Sequence, residues 1–70
     1  MHNSPQLTQY LGAVEAKLAQ DRQAMVSLPL VKKLSDSQGA YLDLAKALVR
    51  RFHARTFNVR SETHTLVLWR

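Results

Sequence analysis

Apolar side chains recur along the first third of the chain at Leu7, Tyr10, Leu11, Val14, Leu18 and Met25, with Gln9, Ala16, Gln20 and Gln23 on the far side. On a helical wheel these positions form one narrow stripe, which predicts an amphipathic helix. Ser4 suits its N-cap, because a serine hydroxyl accepts from the free N–H groups of a first turn. Pro5 then falls at the first helical position, where a missing N–H costs nothing. Positions 7, 11, 14, 18, 21 and 25 keep the four–three alternation of a coiled-coil seam, so the stripe predicts a helix running on to Met25. Asp21 interrupts it. Either the helix loosens there, with the carboxylate in solvent at the seam's edge, or Asp21 is a polar seam residue that fixes register or meets an arginine of a neighbouring helix. Gly12 faces away from the stripe and weakens the helix slightly.

Ser27-Leu28-Pro29 ends this pattern, with Leu28 pushed toward an extended conformation by the proline. A short helical turn over Leu30 to Leu34, carrying Lys32 and Lys33, is expected next. Ser35 with Gln38 fits a capping box, and Asp36 favours a helix N-terminus. The following helix is predicted from about Ser37 to Ala54. Tyr41, Leu42, Leu44, Ala45, Leu48, Val49 and Phe52 form its wide apolar face; Lys46, Arg50 and His53 lie opposite, beside Asp43, with Arg51 on the other margin. After it the period shortens to two. Thr56-Phe57-Asn58-Val59-Arg60 alternates, and Thr63 to Trp69 is rich in β-branched and aromatic residues, so a hairpin is predicted with Arg60-Ser61-Glu62 as its tight connection. Leu66 and Leu68 point to one face and Val67 and Trp69 to the other; a strand apolar on both faces requires cover on both.

The predicted class is therefore α+β: two main helices with a short intervening helical turn, followed by a C-terminal β-hairpin, in one domain spanning residues 1–70. The order has the outline of a winged-helix module, by fold-level analogy alone. The connection between the last two helices matches no helix-turn-helix pattern, and the hairpin turn is short for a wing.

Seventy residues bury a small share of their surface, so such a chain depends on cross-links, metals, oligomers or tight packing. The sequence has no Cys, which excludes disulfides and thiolate zinc sites. His2, His53 and His64 do not fall at metal-ligand spacing, and no metal or cofactor is expected. No apolar run is long enough to span a bilayer. The polar start, Met1-His2-Asn3-Ser4-Pro5, lacks the charged and apolar regions of a secretory leader, so a cytoplasmic protein is expected, with no membrane partner. A homodimer that buries the first helix or the hairpin would supply the missing core.

Catalysis is not expected. A nucleophile needs a base and an orienting group beside it, and no spacing of the five acids and three histidines requires such a site. Gly12 and Gly39 do not form a phosphate loop. The charge pattern is more informative. Overall the chain carries +5, and residues 1–28 are balanced. The stretch from Lys46 to Arg60 holds Lys46, Arg50, Arg51, Arg55 and Arg60 and no acid. Cations near a helix C-terminus also satisfy its dipole without any ligand, but a single-sign patch rich in guanidinium suits phosphate and base-edge contacts. The function expected is that of a non-enzymatic regulatory protein contacting nucleic acid through those five residues. The alternative is a homodimeric adaptor or inhibitor of another protein, of the kind encoded by phages and mobile elements, using the first helix's apolar seam and a hairpin surface of Leu66, Leu68 and Trp69.

Overall fold

In the computed structural model, which describes residues 4–70, the chain forms α1 (Pro5–Asp21), β1 (Gln23–Ser27), α2 (Leu28–Ser35), α3 (Tyr41–Phe52), β2 (Thr56–Arg60) and β3 (Thr65–Trp69). The segment Met1-His2-Asn3, read above as polar and unlike a leader, lies outside the described residues. Three helices and one three-stranded antiparallel sheet, in the order β1-β3-β2, make the α+β class expected. The strand β1 was not predicted. It lies between α1 and α2 and pairs antiparallel with β3.

α1 begins as its sequence dictates. The Ser4 hydroxyl accepts from the Leu7 N–H at 3.0 Å, Pro5 sits in the first turn, and Leu7, Leu11, Val14 and Leu18 are buried. Its end corrects the coiled-coil expectation. Arg22 adopts a left-handed conformation (φ 61°) and its N–H donates to the Leu18 carbonyl at 2.9 Å, closing the helix. From there the buried positions alternate, Ala24 and Val26 inward and Met25 outward, so Met25 belongs to a strand. Asp21 is exposed and pairs at 2.7 Å with Lys17 on its own helix, so its carboxylate lies in solvent at the edge of the stripe, as the first alternative had it.

Ser27 caps α2 by accepting from Leu30 N–H, which draws Leu28 and Pro29 into the first turn. Leu28 is thus helical rather than extended, and it is fully buried. Ser35 is not the cap of the next helix. It is buried, and its hydroxyl donates back to the Val31 carbonyl at 2.7 Å. α3 accordingly starts late, at Tyr41, with Ala40 in the cap position and no side chain satisfying its first turn.

In the sheet, Ala24 and Val26 of β1, Leu66 and Leu68 of β3, and Phe57 and Val59 of β2 share the face turned to the helices. The buried members of this set join Leu7, Leu11, Leu18, Leu28, Val31, Leu44, Leu48 and Phe52 in one core. Leu66 and Leu68 are fully buried within it, which corrects their assignment to a partner surface. The outer face carries Met25, Val67, Trp69, Thr56, Asn58 and Arg60. Val67 there is only 2% exposed and Trp69 half-buried, so strand neighbours supply most of the cover that the two-sided strand demanded. At the β1 edge, the Tyr10 hydroxyl accepts from Ser27 N–H at 2.9 Å and occupies one of the outward backbone groups.

Past β3, Arg70 ties three elements. Its N–H donates to the Arg22 carbonyl, its guanidinium forms two 3.0 Å bonds to the Glu15 carboxylate, and Nη2 also donates to the Phe52 carbonyl at the end of α3. The Arg70 hydrogen bond holds the Glu15 carboxyl below its usual range. Desolvation opposes this, and the charges of Arg70, His53 and Arg51 reinforce it. A carboxyl depressed on folding stabilises the fold above its unfolded value of 4.5 and loses that contribution as pH falls through the folded value. Glu15→Gln should therefore flatten the loss of stability in acid. Urea midpoints at about pH 7 and about pH 3 should lie closer together in the variant than in the parent; an unchanged gap would remove Glu15 from the account.

Candidate nucleic-acid interface

α2 and α3 are joined by the connection over residues 36–40, and the β2–β3 hairpin follows α3 directly. Asp36 closes α2 in a left-handed conformation (φ 53°), and α3 packs against α2. α3 buries Leu44, Ala45, Leu48 and Phe52. This face is narrower than the spacing predicted: Leu42, at the helix start, is 53% exposed.

The outward face of α3 is set by that burial. Lys46 and Arg50, one turn apart and both exposed, lie opposite Leu48, with Asp43 beside them. The other three predicted residues diverge. Arg51 is exposed on the flank toward α1, where it lines a shallow depression with Thr8, Leu11, Gly12, Glu15 and Phe52, and its charge acts on the Glu15 carboxylate. Arg55 follows the turn at His53 that ends α3, and its N–H donates to the Trp69 carbonyl at 2.8 Å. Arg60 ends β2 on the outer side of the sheet, next to the hairpin turn of residues 61–64 and to Glu62. The structure therefore brings Lys46 and Arg50 together on one helical face and leaves Arg51, Arg55 and Arg60 at its borders.

Sequence reasoning missed one cluster. The His64 ring, in the hairpin turn, stacks on Tyr41 at 4.3 Å between centroids, and the Lys32 ammonium sits 4.8 Å from the centre of the same ring. A cation over a tyrosine face and a stacked imidazole are each attractive. Together they fasten the hairpin turn to the end of α2 and the start of α3. Positions 32, 41 and 64 share no spacing that links them; the aromatic at a helix start was the one visible sign. Lys33, exposed in the last turn of α2, adds a cation to the same pair of helices.

Among the described residues no group of three His, Asp or Glu could hold a metal ion, and no helix is long and apolar enough to cross a membrane. No protein-family model, curated protein or solved structure matches this chain.

Proposed function

We propose that the chain binds nucleic acid, with Lys46 and Arg50 of α3 meeting a duplex and the β2–β3 hairpin beside it. The observation that carries the reading is the division of α3. Its inner side fills the core, and its outer side presents two cations one turn apart, on the second of two consecutive helices that pack together. In helix-turn-helix proteins the second helix is the one that enters a major groove, and α3 is the counterpart by chain order. Arg55, Arg60, Lys33 and Lys32 extend the positive surface at its borders, and a field of one sign attracts phosphate before any specific contact forms. The chemistry is recognition, with no cofactor. The test is fluorescence anisotropy of a labelled duplex titrated with the protein. Binding at about 20 mM salt that falls steeply with added salt is expected; no binding at that salt would refute the reading.

The second reading is the homodimeric adaptor. The outer sheet face favours it: Met25 is exposed and Trp69 half-buried there, and Arg60 is the one charged residue among its strand positions. Interface centres are similarly poor in charge and rich in Met and Trp. A sheet face of three short strands covers roughly 15 by 15 Å, well under the ~800 Å² per partner of a stable complex. Sedimentation at micromolar concentration should therefore give the 8.0 kDa monomer; a stable dimer there would favour the adaptor.

A further inference from the structure

The two edges of the sheet differ. At β1, the Ser27 N–H that points away from β3 is taken by the Tyr10 hydroxyl. The direction of each backbone group at β2 follows from the ladders. Leu28 N–H donates to the His64 carbonyl and Arg55 N–H to the Trp69 carbonyl, so the backbone of residues 64, 66 and 68 faces β1 and that of 65, 67 and 69 faces β2. With Asn58 opposite Val67 and Arg60 opposite Thr65, the groups of Phe57 and Val59 point outward along an open edge. Their side chains lie on the helix side of the sheet, where Val59 is half-buried and Phe57 remains 37% exposed.

Charge selects the occupant. Arg55 and Arg60 bracket the strand, and residues 44–61 contain no Asp or Glu. A second copy, paired antiparallel across this edge, would set Arg60 next to Arg55 of the other copy, and such like-charge contacts oppose self-pairing. Nucleic acid answers the charge but not the backbone. Phosphate oxygens only accept, whereas the edge offers N–H and C=O groups in alternation. A peptide backbone answers both, and adding a strand to an exposed sheet edge is an established mode of peptide recognition.

We propose that the open edge of β2 takes an extended acidic segment of another protein as a fourth strand. It pairs with the backbone of Phe57 and Val59, sets an apolar side chain against Phe57 and directs carboxylates to Arg55 and Arg60. This assignment stands apart from the nucleic-acid reading and does not rest on it.

The test uses the isotope-labelled full chain and a blocked synthetic peptide of alternating Glu and Val, about seven residues long, against a Lys–Val control. The Glu–Val peptide should shift the Phe57 and Val59 amides and slow their hydrogen exchange, and the control should not. Phe57→Ser, at an exposed position, should weaken binding at least about tenfold. Val59→Pro removes an outward donor at a site where an edge strand tolerates proline, and should do the same with the helical circular dichroism preserved. Four results would overturn the proposal: no binding at millimolar peptide; shifts confined to Lys46 and Arg50; protection of the same amides by a DNA duplex; or their protection by self-association without peptide.

Discussion

Leu48→Ala should lower the melting midpoint by more than about 10 °C, enough to leave part of the population unfolded near room temperature. Leu48 is fully buried on the inner side of α3, among core residues from every helix and from the sheet. Truncating a buried leucine costs about 2–5 kcal/mol, the transfer term plus the cavity left behind. A domain this short holds only about 4–10 kcal/mol in total, and each kcal/mol moves its midpoint by roughly 4–8 °C. Leu42→Ala is the control. The spacing of the sequence puts Leu42 on the same apolar face, but it is 53% exposed, and its truncation should cost about 0.5 kcal/mol or less and move the midpoint by no more than about 4 °C. Thermal melts of both variants by circular dichroism decide the face of α3. Equal effects would mean that the helix is rotated from the orientation described.

Lys46→Glu combined with Arg50→Glu should abolish duplex binding and leave the fold intact. Both side chains are exposed and neither makes an ion pair or a hydrogen bond within the described residues, so the stability change should stay within about 0.5 kcal/mol. The binding change should be large, because each reversal removes a phosphate contact and adds a repulsion at the centre of the surface. A loss of at least about 100-fold at about 50 mM salt is expected, with the slope of log affinity against log salt reduced by about two. Arg51→Ala is the contrast. Arg51 lies toward α1 and already acts on Glu15, so it should leave both affinity and slope nearly unchanged. Anisotropy titrations at three or more salt concentrations measure both quantities. A double variant that binds as tightly as the parent would move the contact away from α3.

What the sequence discloses of this fold depends on whether the decisive interaction is local. The start of α1 is written in Ser4-Pro5, and β2 in the alternation of Thr56 to Arg60, with bounds that match the structure. The end of α1 is not written locally. Arg22 takes a left-handed conformation without the glycine that would announce it, and the spacing from Leu18 to Met25 suits a continued helix as well as a new strand. Ser35 has the right neighbours for a capping box, but tertiary packing buries it and turns its hydroxyl back into α2. The site divides in the same way. The basic run from Lys46 to Arg60 is legible as composition. Its separation into an α3 face, an arginine facing α1 and two strand-end arginines depends on which elements pack where. The stack of Lys32, Tyr41 and His64 is purely tertiary.

β3 lies between β1 and β2, yet it is the last of the six elements along the chain. As the polypeptide is synthesised, both neighbours emerge before the strand that pairs with them, and β1 must wait for a partner some forty residues downstream. The helices, whose hydrogen bonds are local, can form in that interval, whereas the sheet cannot close until Leu66-Val67-Leu68 inserts between two waiting strands. One segment therefore sets the alignment of both ladders. A shift of β3 by a single residue would misplace β1 and β2 together and turn Leu66 and Leu68 out of the protein interior.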